Sequence, residues 1–283
     1  MTEAQEIRKS VSDSYARAVT AGTGCGCAGE PAGAATPKGV AAQLAGYQAI
    51  ELAALPSDAV ANSFGCGNPV AFTGVREGEV VLDLGSGAGI DLLLAARRVG
   101  PAGRVIGVDM TDAMIERARQ NVAAAGLGNV EVRKGLIEEL PVESGSVDWV
   151  ISNCVINLSP EKERVFAEIF RVLKPGGRML VSDIVVDALP DWARRSAAVY
   201  AACVGGAISE GDYVAGIRSA GLVDVEVQDR LVYEGAQLAA LVESEVSPEA
   251  AGCCGASVGD LARELAPAFA GKVWSARFAA RKP

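Results

Sequence analysis

Val81-Leu82-Asp83-Leu84-Gly85-Ser86-Gly87-Ala88-Gly89-Ile90-Asp91 passes from an apolar run through three glycines into a helix-forming segment. The apolar run reads as a buried strand. Glycines let the backbone turn sharply from a strand into a helix while a ligand lies against it. A nucleotide-binding turn and a plain tight turn share this composition, so the stretch fixes a strand-turn-helix unit without naming a ligand. It makes Asp83, Gly85, Ser86, Gly87 and Gly89 candidate cofactor-binding residues.

Outward from this unit, from Glu79 on, short apolar strands alternate with amphipathic helices, the pattern of a parallel sheet covered on both faces. Strands are predicted at Val80 to Leu84, Arg104 to Val108, Val130 to Arg133, Val147 to Ile151 and Arg178 to Asp183. Helices fall near Asp91 to Arg98, Asp112 to Ala125 and Glu161 to Leu173, the last stopped by Lys174-Pro175-Gly176-Gly177. An alanine-rich helical stretch, Asp191 to Val204, precedes a helix at Ile208 to Ala220 and strands at Leu222 to Val227 and Val273 to Ala280. The fold class is therefore α/β, a doubly wound, mostly parallel, Rossmann-like sheet.

Upstream, Ile7, Val11, Tyr15, Ala18 and Val19 lie near one face of a helix over residues 3 to 19. Residues 21 to 39 gather glycine, alanine and proline around Cys25 and Cys27, too little apolar surface to order alone, and read as a mobile loop. Residues 234 to 271 read as an insertion. The expected organisation is an N-terminal cap over residues 1–64, a cofactor-binding domain over 65–230 and an extension over 231–283 that completes the sheet.

Composition excludes several classes of function. Of the 283 residues, 35 are acidic and 26 basic, so the average surface repels phosphates and anionic lipid, and neither nucleic acid nor membrane is an expected partner. The first ten residues carry Glu3, Glu6, Arg8 and Lys9 before any apolar run, unlike a secretory signal, which points to the cytoplasm. Seven cysteines in that compartment are not presumed to form a disulfide framework. Histidine is absent, which removes the commonest general base and metal ligand.

Ligands of open α/β sheets bind at the carboxyl ends of the strands. There Asp109 follows the second strand, where a carboxylate can accept both ribose hydroxyls of an adenosine, and Met110 can cover the adenine or simply fill the core. Lys134-Gly135-Leu136-Ile137-Glu138 and Ser152-Asn153-Cys154-Val155-Ile156-Asn157-Leu158 close the third and fourth strands. The run GVDM, GLIE, SNCVINLS and RVLKPGG resembles the class I methyltransferase plan, which implies S-adenosylmethionine as cofactor.

Three cysteines converge on this edge. Cys154 ends the fourth strand, Cys66 sits in the glycine-flanked Asn62-Ser63-Phe64-Gly65-Cys66-Gly67-Asn68-Pro69, and Cys203 is expected on the helix after the fifth strand. A single cysteine is commonly a small core residue. No C-x-x-C pair and no histidine support zinc, whereas a thiolate cluster suits a soft, thiophilic acceptor.

SFGCGNP, GEVVLDLGSGAGID, GVDMT, SNCVINLS, RVLKPGGR and CVGGA, between about Leu55 and about Val225, resemble the arsenite S-adenosylmethionine methyltransferases. SFGCGNP and SNCVINLS are specific to that family; DLGSGAG and KPGG are shared by many methyltransferases. The resemblance implies that Gly85, Ser86, Asp109, Met110, Ile137, Glu138 and Asn153 hold the cofactor, with Asp83, Gly87, Gly89 and Gly135 in the same turns. It implies that Cys66, Cys154 and Cys203 hold arsenic, helped by an N-terminal cysteine that is Cys25 or Cys27. Cys253 and Cys254 resemble a C-terminal pair that captures substrate in some relatives, or else decorate a loop. Arsenite or its glutathione complex is the implied substrate, with glutathione or thioredoxin as reductant and detoxification as the outcome. Thiol-bound trivalent arsenic keeps a lone pair without a proton, so methyl transfer to it needs no general base. Two rivals stand beside this reading: carbon methylation of a quinone or sterol precursor on the same fold, and a non-enzymatic thiol-based metalloid binder. A nicotinamide-dependent oxidoreductase is a remoter third.

Overall fold

The computed structural model describes residues 2–20, 47–63, 67–72, 74–189, 191–201, 203–232 and 271–283. In chain order its elements are α1 (Glu3–Thr20), α2 (Ala49–Ala53), α3 (Ser57–Ala61), α4 (Pro69–Phe72), β1 (Val80–Leu84), α5 (Ile90–Val99), β2 (Arg104–Asp109), α6 (Asp112–Ala124) and β3 (Val130–Lys134). They continue with β4 (Val147–Asn153), α7 (Lys162–Val172), β5 (Leu173–Val186), α8 (Asp191–Arg195), α9 (Ala197–Ala201), α10 (Glu210–Ser219), β6 (Val223–Val232) and β7 (Val273–Arg281).

The strands form one sheet in the order β3-β2-β1-β4-β5-β7-β6. The pairs from β3 to β5 are parallel, while β7 lies antiparallel between β5 and β6. The order reverses between β1 and β4, which opens a crevice at their carboxyl ends. β1 and β4 are buried on both faces, as their continuous apolar sequences require of central parallel strands. Leu82, Leu84, Val108 and Val150 pack on one side with Phe166 and Ile169 of α7; Val81, Val105 and Ile151 pack on the other with Leu92 and Leu93 of α5.

Tertiary context moved several expected boundaries. The helix stopped by Lys174-Pro175-Gly176-Gly177 ends at Val172, and those residues lie inside β5, where the pairing with β4 shifts between Val147 and Trp149. Lys174 pairs with Asp148 across this irregularity at 2.8 Å. Pairing along β7 carries β5 to Val186 and β6 to Val232, beyond their predicted ends. The alanine-rich stretch is two short helices, α8 and α9, with Ser196 between them. Cys203 therefore lies beyond α9 in a turn with φ +60°, not on the expected helix.

The first helix, α1, packs against α6 and α9. It buries Val11 and Val19 as its spacing predicted, and so covers the carboxyl edge. No described helix is long and apolar enough to cross a membrane. The glycine-rich segment 21–39, the insertion at 234–271 apart from Gly271, and Cys25, Cys27, Cys66, Cys253 and Cys254 lie outside the described residues.

Candidate active site

The turn after β1 is drawn onto the end of β2, because the Gly85 and Ser86 N–H groups both donate to the Val108 carbonyl, at 2.8 and 3.1 Å. Gly85 has φ +64°, and a Cβ there would stand 2.2 Å from Val155 Cγ2, so only glycine admits this contact. The Asp109 carboxylate accepts the Gly87 N–H at 3.0 Å and the Thr111 N–H at 2.8 Å. Each of its oxygens keeps a further acceptor site.

Beside this turn lies a cavity with about 940 Å³ of empty space, its open mouth included. Its walls bring together Asp83, Gly85, Ser86, Gly87, Asp109, Met110, Gly135, Ile137, Glu138, Asn153 and Cys154. Gly89 is not in the wall; it precedes α5 with φ +96°. Arg8, Val11 and Tyr15 of α1 form part of the wall.

The cavity is acidic. Asp91, in the first turn of α5, accepts the Tyr47 hydroxyl on both oxygens at 2.9 Å and the Asn153 amide at 3.3 Å. Burial pushes its pKa up to about 6 against those hydrogen bonds. Asp83 is held well above the usual carboxylate range by burial and by Asp91 and Asp109, and its Oδ2 has no hydrogen-bond partner. Burial also raises Asp109. Orphaned buried acceptors in a cavity fit a cationic ligand that would pair with them.

Glu138 is fixed by groups distant in sequence. It accepts Arg8 Nε and Nη2 at 3.1 and 3.0 Å and the Ser159 hydroxyl at 2.7 Å. Arg8 also pairs with Glu161. The Asn153 amide donates to the Gly67 carbonyl at 2.5 Å while its Oδ1 accepts the Gly67 N–H at 3.1 Å, so the residue after Cys66 is pinned to the end of β4.

Of the cysteines, Cys154 and Cys203 are described, and both have φ +60°. Cys154 lines the cavity, whereas Cys203 lies directly behind it, its thiol donating to the Cys154 carbonyl at 2.7 Å. Met110, Val155 and Tyr200 pack around the pair. Cys203 is buried, and Cys154 is disulfide-bonded, one bond in a chain whose cysteines were not presumed to form a disulfide framework. Tyr15 donates to the Ala201 carbonyl at 3.1 Å and lies 3.8 Å from Cys203 Sγ.

Comparison with known proteins decides the family. The profile of the methyltransferase domain matches residues 76–233. The arsenite methyltransferase of Halobacterium salinarum is 44% identical over 236 residues, 79% of this chain and 59% of that protein. That of Aquipseudomonas alcaligenes is 40% identical over 172 residues, 58% of this chain and 49% of that protein. The crystal structure of an arsenic(III) S-adenosylmethionine methyltransferase from Chlamydomonas reinhardtii is 33% identical, with a TM-score of 0.58, and the match covers 87% of this chain and 74% of that one. The chain belongs to this arsenic methyltransferase family. It spans about half the length of the curated relatives it matches.

S-adenosylmethionine is the cofactor of such a methyltransferase, and the cavity fits it. The sulfonium and amino groups are cations, suited to a wall holding Asp83 and Asp91, and Asp109 has acceptor capacity to spare for a ribose. The sequence reading missed Arg8, Tyr47, Asp91 and Ser159 in this site. Arg8 is 130 residues from Glu138 and carried no local signal. Asp91 stood in the decisive stretch, but an acid in the first turn of a helix is equally explained by the helix dipole.

Proposed function

We propose that this chain transfers the methyl group of S-adenosylmethionine to trivalent arsenic held by cysteine thiolates, with Cys154 and Cys203 as the fixed pair and Cys66 as a third ligand. The observation that carries the reading is the 2.7 Å contact that seats Cys203 on Cys154 at the cavity wall. A soft pair of sulfur atoms beside a methyl donor suits a thiophilic acceptor.

The cofactor supplies an electrophilic methyl on a sulfonium. Asp109 would accept the ribose hydroxyls, while Asp83 and Asp91 would offset the cationic groups. The arsenic lone pair carries no proton, so the protein needs no base and its work is alignment, which can supply up to ~7–11 kcal/mol. Helix α1, with Arg8 and Tyr15 in the cavity wall, would exclude water from the sulfonium. Cys154 must be reduced before it can bind arsenic, which gives glutathione or thioredoxin a direct role.

Carbon methylation remains the second reading, and it requires neither cysteine. The test is incubation of the protein with arsenite, S-adenosylmethionine and glutathione, followed by arsenic speciation, alongside Cys203→Ser. Methylated arsenic from the natural chain and none from the variant is expected. Absence of methylated arsenic from a protein that binds the cofactor overturns the proposal.

A further inference from the structure

We infer that Asn157 is a positioning residue, which holds the Cys203 turn against the end of β4 once the Cys203 thiol has given up its proton to bind arsenic. The inference rests on the thiolate reading above.

Asn157 is fully buried, in the short 3₁₀ turn Ile156–Leu158 that follows Cys154. Its amide spends both donors on backbone carbonyls, Ile184 at 2.6 Å and Cys203 at 3.1 Å. Its Oδ1 is buried with no hydrogen-bond partner, a cost that an apolar side chain would avoid, so the donors are what this residue contributes.

The backbone of Asn157 is clamped as well. Its N–H donates to Asp183 Oδ2 at 3.1 Å, and Tyr213 donates to the same oxygen at 3.2 Å. Its carbonyl accepts Lys162 Nζ at 3.2 Å. That carbonyl also stands against Gly206, where a Cβ would come within 2.0 Å of the oxygen. The frame of β5 and α7 thus fixes Asn157, and Asn157 fixes Cys203.

Among the described residues two contacts tie the Cys203 turn to the strand edge, its thiol on the Cys154 carbonyl and its carbonyl on the Asn157 amide. Forming a sulfur–arsenic bond displaces the thiol proton to a hydroxyl of the arsenical, which leaves as water, and the first tie goes with the proton. The second persists. It then holds Cys203 in a left-handed conformation that a non-glycine residue adopts at a cost.

The experiment uses phenylarsenous acid, which has two exchangeable hydroxyls and so reports a two-thiol site, on fully reduced protein. Three variants are compared with the natural chain: Asn157→Ala, Gly206→Ala and Cys203→Ser. Gly206→Ala displaces the turn from the Asn157 carbonyl without altering either cysteine or the amide. Asn157→Ala and Gly206→Ala should each weaken phenylarsenous acid binding about tenfold, on the scale of one or two hydrogen bonds, while S-adenosylmethionine affinity stays within about twofold.

A parallel loss of both affinities in the variants means a general structural role and overturns the inference. So does undiminished arsenical binding in either folded variant when Cys203→Ser has lost it. If Cys203→Ser binds phenylarsenous acid as well as the natural chain, the thiolate reading itself fails, a result separable from failure at Asn157.

Discussion

The thiol of Cys203 donates to the backbone carbonyl of Cys154 at 2.7 Å, although 49 residues separate them in the chain. Both residues are buried, and the contact ties one to the other at the end of β4. Methylarsonous acid has two exchangeable hydroxyls where arsenite has three. Cys154→Ser and Cys203→Ser should therefore abolish methylation of both substrates, because a hydroxyl is a poor ligand for a soft acceptor. Cys66→Ser, or Cys25→Ser with Cys27→Ser, should abolish arsenite methylation and spare methylarsonous acid. Rates for these four variants on two substrates decide it; full arsenite activity in Cys154→Ser would return carbon methylation to the lead.

Asp109 lines the cavity and is proposed to accept the ribose hydroxyls. Asp109→Ala should weaken S-adenosylmethionine binding by roughly 1.5–3 kcal/mol for each charged hydrogen bond lost, and leave arsenical binding nearly unchanged. Calorimetry on the two ligands separates the effects. Unaltered cofactor affinity would remove Asp109 from the site.

The carboxylates of the cavity predict a proton linked to cofactor binding. Asp91 is raised to about 6 by burial, so near pH 6 it is about half protonated in the free protein, while burial beside Asp91 and Asp109 holds Asp83 well above its ordinary range. A cationic ligand favours the ionised forms and lowers both values. Binding should then release protons at pH about 6, and cofactor affinity should rise with pH through that region. Calorimetry in buffers of different ionisation enthalpy measures the release; proton uptake would contradict the charge assignment.

The same raised values bear on stability. Groups raised in the folded state favour folding while protonated, and that contribution is lost as pH rises through the unfolded value near 3.8 to the folded one. For Asp91 this loss falls between about pH 4 and pH 6. Asp91→Asn should therefore flatten the decline in thermal midpoint across that window. An unchanged pH profile would show that Asp91 does not titrate there.

Arg8 links α1 to the cavity. Removing it leaves the Glu138 side chain, only 4% exposed, without its cation. Arg8→Ala should cost about 1–3 kcal/mol of stability and lower the thermal midpoint by a few degrees. Cofactor affinity should fall with it, since Arg8 and Glu138 share the cavity wall. A variant with natural stability and affinity would show that α1 does not help to close the site.

The sequence by itself determined the strand-turn-helix unit at Val81 to Asp91, the alternation that makes the sheet, and the residues that gather around a cavity at its carboxyl edge. These are local matters. Apolar periodicity and glycine placement act within a few residues, and Asp83, Gly85, Asp109, Glu138 and Asn153 each sit at or beside a strand end that such patterns locate. Cys154 was legible for the same reason. Cys203 was assigned to a helix because alanine content reads as helix, whereas the packing of the 203–206 turn on Asn157 ends the helix early and gives Cys203 φ +60°. Tertiary structure alone decided that Arg8 meets Glu138, that Tyr47 meets Asp91, and that Asn153 grips Gly67. Those contacts span 130, 44 and 86 residues, and their energy exists only after the sheet has brought its edge and the N-terminal helix together, so no local pattern records them.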